Sequence, residues 1–218
     1  MRTILVLNSK GGSGKTTIAT NLAGYYADRG TSVALADFDP QGSSIDWLAA
    51  RGADRPAIRS VEAFHAGARL PTGVDVTIMD APARTHGEDL SGLVRRAQTI
   101  VIPIVPSPLD LRAAERFLDE LFRIKAVEKG EVKVATIANR AREGSLAASE
   151  LGEYLEGLKL PSGKKLPFLA LIRASVNYLR AAERGLSIFE FAPMATAVDR
   201  EHWAPLTRWL NGSRSLPD

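Results

Sequence analysis

Short apolar segments recur along the chain and are separated by longer segments that mix apolar and polar residues. Six of them have the length and composition of buried strands, at positions 2–7, 32–37, 74–80, 99–105, 131–138 and 166–172, and a shorter candidate lies at 58–61. Between many of them, apolar residues recur at helical spacing. Strands that alternate with helices are typical of a parallel sheet covered on both faces. The pattern therefore predicts an α/β fold with a mostly parallel, twisted sheet.

One predicted strand contains a residue that does not suit its position. The nearly continuous apolar run of 99–105 predicts a strand at the centre of the sheet, yet it includes Pro103. Proline is usually kept out of central strands because it lacks the N–H group that the ladder needs. The helix expected after it has a regular start, with Ser107 suited to cap it and Pro108 to open its first turn.

The composition fits one domain with its own hydrophobic core, and it excludes sites that depend on cysteine. The chain has 218 residues, 45% of them hydrophobic, so we expect residues 1–218 to form a single domain. It has no cysteine and only 3 histidines, which excludes disulfides and thiolate metal sites. No apolar segment approaches the ~18–20 residues that span a bilayer, and the first strand leaves no room for a signal peptide. We therefore expect a cytoplasmic protein without a transmembrane segment.

The most specific motif is the run Lys10-Gly-Gly-Ser-Gly-Lys-Thr-Thr17, between the first predicted strand and the first predicted helix. Its glycines let backbone N–H groups surround phosphate oxygens, and the helix N-terminus adds positive partial charge. Lys15 is placed to reach the β- and γ-phosphates, and the Thr16 hydroxyl to bind Mg²⁺. The predicted nucleotide-binding residues of this loop are Lys10, Gly11, Gly12, Ser13, Gly14, Lys15, Thr16 and Thr17. The alternative, a glycine-rich turn with a chance lysine, leaves the register of strand, glycines and helix unexplained.

Two aspartates follow predicted strands at the sheet edge where ligands bind in α/β folds. Asp39 follows the strand 32–37, and Asp80 closes the strand 74–80. We expect Asp80 to hold Mg²⁺ from the strand tip, and Asp39 to orient water on the metal or the γ-phosphate. Taken alone, Asp39 before a proline is also a common helix start, and a strand-terminal aspartate such as Asp80 can cap a turn.

A polar pair, Asn139-Arg140, ends the predicted strand 131–138. The asparagine amide offers both a donor and an acceptor, which suits the edge of adenine, and arginine can stack on a base. Both residues are therefore candidates for nucleotide binding. A plain turn at the end of the strand is the alternative.

One position of the glycine-rich motif departs from the ordinary phosphate-binding pattern. Ser9 stands where a glycine is usual, and a second lysine, Lys10, directly precedes the glycines. The run Lys-Gly-Gly-Ser-Gly-Lys-Thr-Thr resembles the deviant Walker A motif of the ParA/MinD ATPases, with Lys10 in the place of their signature lysine. A cation there cannot reach its own phosphates along the route of Lys15, but it can serve a nucleotide across a subunit interface.

The resemblance covers essentially the whole chain. Asp37-Phe-Asp-Pro-Gln41 is similar to the family's switch I, and Asp80-Ala-Pro82 resembles its switch II. Pro106-Ser-Pro-Leu-Asp110 resembles a stretch at the dimer and nucleotide face of short ParA proteins, and the family places an asparagine at the position of Asn139 for base recognition. Because no helix-turn-helix extension precedes the first strand, the chain looks like the short ParA class, of the ParF or McdA type.

The resemblance implies ATP and Mg²⁺ as cofactors and a homodimer clamped face to face by nucleotide. Lys10, Lys15 and Asp39 would then be catalytic, and Thr16, Asp39 and Asp80 would hold the metal. The dimer would bind DNA non-specifically on the nucleoid, and an adaptor of ParB or McdB type would stimulate its slow ATP hydrolysis. The cargo would be a plasmid, a chromosomal locus or a carboxysome-like assembly.

The charge distribution offers a weak indication of where DNA would bind. The net charge is +3, from 28 basic and 25 acidic residues, and the part of the chain after position 158 is the more basic. From this region we select Arg173, Arg180 and Arg200 as candidate DNA-binding residues. An ordinary solvated surface explains the same arginines equally well.

Two other functions remain open at this point. A MinD-like ATPase would bind membrane through a basic amphipathic last helix, and Trp203, Leu206 and Leu210 do share one face there. Pro205 and the small number of basic residues favour core packing for that helix instead. The other alternative is a metabolic enzyme of the same fold that uses ATP for amidation, although no added substrate domain is recognisable.

Overall fold

A parallel sheet of seven strands forms the centre of the molecule. The computed structural model describes residues 1–65 and 67–217. The strands are β1 (Arg2–Val6), β2 (Val33–Asp37), β3 (Ile58–Glu62), β4 (Val76–Asp80), β5 (Thr99–Ile104), β6 (Lys133–Ala141) and β7 (Phe168–Arg173). They lie in the order β3-β2-β4-β1-β5-β6-β7, and neighbouring strands are parallel throughout. The predicted α/β fold is confirmed, and the candidate at 58–61 is present as the edge strand β3.

Helices cover both faces of this sheet. They are α1 (Lys15–Ala27), α2 (Ser43–Ala49), α3 (Gly87–Val94), α4 (Pro108–Phe122), α5 (Lys125–Glu128), α6 (Leu146–Gly157), α7 (Asn177–Ala182) and α8 (Ala197–Leu210), followed by a 3-10 turn at Ser213–Ser215. The buried residues of α1, α2 and α8 belong to the core on one face, and those of α3, α4, α5 and α6 to the core on the other. A sheet buried on both faces explains why its central strands are apolar runs rather than alternating patterns.

β1 shows how one strand supplies both cores. Ile4 and Val6 face the core that contains α1, whereas Leu5 and the following Leu7 face the core that contains α4. All four side chains are fully buried. Because successive side chains of a strand point to opposite faces, a shift of one residue would exchange the two sets. This register fixes where β1 ends, and therefore where the loop after β1 begins at the edge of the sheet.

Pro103 is accommodated where the pairing between β1 and β5 ends. These strands pair from Ile4↔Thr99 to Val6↔Val101, and the pairing does not extend to Pro103. The carbonyl of Pro103 accepts a hydrogen bond of 2.7 Å from Nδ2 of Asn8 instead. The proline therefore marks the end of this ladder, while its strand continues along β6.

The last helix, α8, packs its apolar face into the core. Trp203, Leu206 and Leu210 are fully buried there, and Nε1 of Trp203 donates a hydrogen bond of 2.8 Å to the hydroxyl of Tyr178. Pro205 lies inside α8 at an exposed position. The apolar stripe of α8 is thus occupied by the rest of the protein. In the described part of the chain, no helix is long and apolar enough to cross a bilayer.

Candidate functional site

The carboxyl ends of three adjacent strands bring the predicted site residues to one edge of the sheet. Asp80 of β4 is in register with Val6 of β1 and with Asp37 of β2. The glycine-rich loop, residues 8–14, leaves the same edge directly after β1. Ligands of open α/β sheets bind at this edge, where the loops diverge from neighbouring strands.

Two glycines give the glycine-rich loop its shape. Gly12 and Gly14 have φ angles of 80° and 86°, in the left-handed region that residues with a Cβ rarely adopt. A Cβ on Gly14 would also lie 2.3 Å from Nδ2 of Asn139. Gly14 is the N-cap of α1 and gives it no side-chain hydrogen bond, so the first N–H groups of α1 remain available to a ligand. This geometry suits an anion at the N-terminus of α1.

Lys15 lies against this loop. Its side chain is buried, and Nζ donates a hydrogen bond of 3.3 Å to the backbone carbonyl of Lys10. Burial lowers the pKa of Lys15, whereas the nearby carboxylates of Asp80 and Asp39 act in the opposite direction. The ammonium group is therefore close enough to both aspartates to be influenced by their charge.

Asp80 is a buried carboxyl group with one unsatisfied oxygen. Burial raises the pKa of Asp80 to about 7, although a hydrogen bond with Thr16 acts to lower it. Oδ1 of Asp80 and Oγ of Ser13 are buried and have no hydrogen-bond partner among the described residues. A buried carboxylate oxygen close to the Thr16 hydroxyl fits a hard cation such as Mg²⁺.

The protein side chains alone do not form a complete metal site. Within residues 1–65 and 67–217, no group of three or more His, Cys, Asp or Glu side chains is arranged to hold a metal ion. Mg²⁺ in nucleotide sites typically takes one or two carboxylates and completes its shell with waters and phosphate oxygens. Asp80 and Thr16 therefore fit a magnesium ion that arrives with a nucleotide.

The two aspartates after β2 have different surroundings. Asp37 is fully buried, and its carboxylate accepts hydrogen bonds from the N–H of Asp39 at 2.9 Å and from the N–H and hydroxyl of Ser44 at 2.9 and 2.7 Å. It thereby ties the start of α2 to the end of β2. Asp39 is only half-buried, and its Oδ1 accepts one hydrogen bond of 3.0 Å, from the N–H of Gln41. Asp39 therefore retains lone pairs for water or a metal ion.

Lys10 pairs with a residue outside the glycine-rich loop. Its Nζ lies 2.8 Å from Oδ2 of Asp110, in the first turn of α4. The backbone N–H of Lys10 donates a hydrogen bond of 3.0 Å to Oδ1 of Asn8, which fixes the base of the loop. No motif in the sequence identifies Asn8 or Asp110 as a partner of Lys10.

The structure places Asn139 and Arg140 against the glycine-rich loop. β6 extends past its predicted end, so both are strand residues. Nδ2 of Asn139 donates a hydrogen bond of 2.8 Å to the carbonyl of Ser13, and Nη1 of Arg140 donates one of 3.2 Å to the carbonyl of Gly12. Both side chains thus support the loop from the β6 side. Base recognition by either residue stays a prediction.

The three candidate DNA-binding arginines lie on β7, α7 and α8. Nε of Arg173 pairs at 2.7 Å with Oδ1 of Asp199, whose side chain is fully buried. Nη2 of Arg200 donates a hydrogen bond of 2.6 Å to the carbonyl of Pro193. Arg180 is exposed on α7. Arg173 therefore balances the charge of a buried carboxylate, whether or not it also binds DNA. DNA binding by the three arginines stays a prediction.

Three hydrogen bonds connect the loop after β4 and the start of α3 with neighbouring elements, and the sequence motifs indicate none of them. The N–H of Arg84, which has a φ of 60°, donates a hydrogen bond of 2.7 Å to the carbonyl of Ser9. Nδ1 of His86 lies 2.7 Å from Oε2 of Glu120 in α4, and the N–H of Gly87 donates to Oε1 of Glu120 at 2.8 Å. The hydrogen bonds from Gly87 and His86 lower the pKa of Glu120. The only sequence signal for Arg84 and His86 is their position shortly after Asp80.

Comparison with known proteins finds relatives that cover most of the chain. The Maintenance of carboxysome distribution protein A of Gloeobacter kilaueensis is 33% identical over 199 residues, which cover 87% of this chain and 85% of the relative. Apo McdA of Cyanothece has a TM-score of 0.71 at 17% identity, covering 97% of this chain and 100% of that one. Cobyrinic acid a,c-diamide synthase of Mycobacterium smegmatis, solved with an ATP analogue and magnesium, has a TM-score of 0.70 at 19% identity, covering 100% and 98%. At these identities, both structures show a similar fold only.

The family comparison covers the part of the chain that forms the site. The CobQ/CobB/MinD/ParA nucleotide binding domain matches residues 4–188. This range contains the glycine-rich loop together with Asp39, Asp80 and Asn139. The resemblance drawn from Lys10 and the glycines that follow it is therefore confirmed. The chain belongs to the family of the CobQ/CobB/MinD/ParA nucleotide binding domain, and within it to the ParA type with McdA-like relatives.

Proposed function

We propose that this protein is a ParA-type ATPase that forms an ATP-dependent homodimer, binds DNA non-specifically and positions a cargo. The main support is that the two lysines of the glycine-rich loop have different partners. Nζ of Lys15 bonds the loop itself, whereas Nζ of Lys10 lies 2.8 Å from Asp110, outside the loop. A lysine that does not bond its own loop can act on the nucleotide of a second copy of the chain once it exchanges Asp110 for that nucleotide, in the manner of an arginine finger supplied in trans.

The residues of the site fit ATP and Mg²⁺ as cofactors. Bound ATP supplies a phosphoanhydride bond that water can cleave. The N–H groups of residues 11–17 would bind phosphate oxygens, and Lys15 would balance their negative charge. Thr16 and Asp80 would hold Mg²⁺, and Asp39 would accept a hydrogen bond from the attacking water and orient it. The relative solved with an ATP analogue and magnesium supports this choice of cofactors.

The positioning role is supported by the relatives. The Gloeobacter kilaueensis protein, which aligns over 87% of this chain, is named for carboxysome distribution. We infer that an adaptor protein stimulates ATP hydrolysis in the dimer while the dimer is held on DNA. Loss of the γ-phosphate would remove the ligand that Lys10 contacts in the partner subunit, so the dimer would separate and leave the DNA.

The dimer is tested by light scattering after size exclusion, with Mg²⁺ and a non-hydrolysable ATP analogue. We expect wild type to be dimeric, Lys15→Ala to lose nucleotide binding, and Lys10→Ala to bind nucleotide yet stay monomeric. Lys129→Ala makes the same change at an exposed lysine outside the glycine-rich loop. It is the matched control and should dimerise normally. A Lys10→Ala protein that dimerises like wild type contradicts the proposed role of Lys10.

DNA binding is tested separately, by retention on random-sequence duplex DNA over a series of salt concentrations. Affinity should fall steeply with salt because it depends on displaced counterions. Arg180→Ala should weaken it, and Arg59→Ala, on the exposed edge strand β3, should not. Retention on anionic vesicles in place of DNA would favour a MinD-like ATPase instead.

A further inference from the structure

The ion pair between Lys10 and Asp110 is held in place by the cap of α4. Nζ of Lys10 lies 2.8 Å from Oδ2 of Asp110, and their side chains are 34% and 15% exposed. The same Oδ2 accepts a hydrogen bond from Oγ of Ser107, and this Oγ accepts one of 3.1 Å from the N–H of Asp110. Ser107 is the N-cap of α4, so the carboxylate has a fixed position.

The location of Asp110 also favours its negative charge. It lies in the first turn of α4, where the positive end of the helix dipole stabilises an anion. In the described ranges 1–65 and 67–217, no second acidic side chain pairs with Lys10. The ammonium group of Lys10 is therefore paired with one carboxylate, that of Asp110, which belongs to its own subunit.

We propose that Asp110 is a positioning residue that holds Lys10 within its own subunit until the nucleotide of a partner subunit replaces it. This inference depends on the proposed function, in which Lys10 acts across a dimer interface. The Lys10 ammonium has three N–H groups and could serve two anions that lie side by side. Asp110, however, is fixed on its own subunit by the cap of α4, and we infer that a phosphate across the interface lies beyond hydrogen-bond distance of that position, so Nζ must leave the carboxylate to reach it. When the dimer forms, Lys10 therefore leaves the carboxylate of Asp110 and pairs with a phosphate of the partner subunit's nucleotide. Asp110 thereby weakens the dimer and favours its separation after hydrolysis.

The size of this effect follows from the exposure of the pair. Partly exposed ion pairs correspond to roughly a two- to fivefold change in an equilibrium constant. Because a symmetric dimer breaks two such pairs, loss of Asp110 should tighten the dimer by about 4- to 25-fold. The effect should shrink as salt is added, since salt screens exposed pairs.

The first experiment compares Asp110→Asn with Asp119→Asn, which makes the same change at an exposed position of the same helix. Sedimentation velocity with Mg²⁺ and a non-hydrolysable ATP analogue gives the dimer dissociation constant, and a fluorescent-nucleotide titration gives the affinity of the single subunit. We expect Asp110→Asn to form the tighter dimer with unchanged nucleotide affinity, and Asp119→Asn to match wild type. A purely structural role for Asp110 would lower the melting temperature without strengthening the dimer.

One further variant keeps the proposal testable if Asp110→Asn folds poorly, and one further measurement tests the ion pair directly if it folds well. Ser107→Ala keeps the carboxylate but removes the hydroxyl that fixes it, and should tighten the dimer by a smaller factor. A double-mutant cycle of Lys10→Ala and Asp110→Asn, followed by urea unfolding without nucleotide, measures the coupling of the pair directly. Absence of coupling, or an Asp110→Asn dimer no tighter than wild type, overturns this inference alone. A wild-type protein that stays monomeric with the analogue overturns the proposed function and this inference with it.

Discussion

Among single residues, Asp80 shows the strongest conflict between burial and charge. Its side chain is almost fully buried, and Oδ1 lacks a hydrogen-bond partner within the described residues. Burial raises the pKa of Asp80 to about 7, so near neutral pH the group holds a proton in part of the molecules. A bound cation would favour the ionised form. Occupation of the site by Mg²⁺ should therefore release protons from Asp80.

The raised pKa of Asp80 predicts a loss of stability with rising pH. The pKa is about 7 in the folded protein and ~3.9 in an unfolded chain, so folding retains a proton that unfolding releases. The stabilising contribution of the Asp80 proton is complete below the pKa of the unfolded chain. Above that pH it decreases by up to about 1.4 kcal/mol per pH unit, until the pH reaches about 7. Urea unfolding at about pH 5 and about pH 7.5, with EDTA and no nucleotide, measures the loss. Asp80→Asn should remove this part of the pH dependence; an unchanged slope would argue against a raised pKa.

The sequence suggests a role for a single residue most directly when its partners lie in the same motif. Lys15 and Thr16 could be proposed as phosphate and Mg²⁺ ligands because the glycines, the strand and the helix are contiguous with them. The pairing of Lys10 with Asp110 could not be predicted from the sequence, because it depends on how α4 packs beside the loop after β1. The same limit applies to Arg173, whose buried partner Asp199 lies on another element. Charge counts along the sequence reveal neither pair.

At the level of elements, a buried ion pair joins the end of α2 to the segment that follows α7. Arg51 and Glu190 have side chains only 5% and 1% exposed. Nη1 of Arg51 also donates a hydrogen bond of 2.9 Å to the carbonyl of Gly185, and Oε2 of Glu190 accepts one of 3.0 Å from the N–H of Ser187. Burial alone would raise the pKa of Glu190, but the hydrogen bonds from Arg51 and Ser187 lower it overall. The carboxylate is therefore ionised and fully engaged.

Removing one partner of this pair should be strongly destabilising. Glu190→Gln leaves the Arg51 cation buried without its counter-charge, and we expect the free energy of unfolding to fall by about 3–5 kcal/mol. Urea denaturation measures the change, with Glu183→Gln at an exposed position as control. Replacing both partners, as in Arg51→Met with Glu190→Leu, should recover part of the loss. A single variant as stable as wild type would contradict this account.

The elements that the sequence predicts best are the strands. Their apolar runs are long because both faces of the sheet are covered, and every predicted strand is present. No helix is predicted specifically at α3 or α6. α3 contains two glycines, which weaken helix propensity. α6 does have the capping serine and the buried spacing of Ala148, Leu151 and Leu155, so its pattern was available in the sequence.

For the whole molecule, the site depends on loops from several separate strands. Residues near it come from β1, β2, β4 and β6, which are held together only by the packed sheet. A ligand that contacts all of these loops binds the folded state alone. Its binding free energy is therefore added to the stability of the entire sheet.

Nucleotide and magnesium should consequently raise the melting temperature together. At a concentration about 100-fold above the dissociation constant, a ligand adds about 2.7 kcal/mol, or roughly 5–10 °C for a protein of this size. Differential scanning fluorimetry with a non-hydrolysable ATP analogue measures the shift in Mg²⁺ and in EDTA. Asp80→Asn should lose the Mg²⁺-dependent part, and Asp54→Asn, at an exposed position, should keep it. Equal shifts in Mg²⁺ and EDTA would contradict the metal assignment.

The packing of α8 predicts that its removal affects folding rather than membrane binding. Trp203, Leu206 and Leu210 are fully buried, and deletion of residues 197–218 would expose the core beneath them. We expect the truncated protein to lose its cooperative thermal transition, as followed by circular dichroism. The intact protein should remain in the supernatant when anionic vesicles are sedimented with ATP. A truncated protein that keeps its cooperative transition would contradict the packing role of α8. An intact protein that sediments with vesicles while the truncated protein does not would assign α8 to the membrane.

Helix α4 contacts the glycine-rich loop near its first turn and the start of α3 near its last turn. Asp110 in its first turn holds Lys10, and Glu120 near its last turn holds His86 and the N–H of Gly87, at the start of α3. Ten helical residues rise by about 15 Å, so the same helix separates these two sets of contacts by about that distance. A displacement of α4 as a unit would therefore change the surroundings of Lys10 and of the start of α3 together.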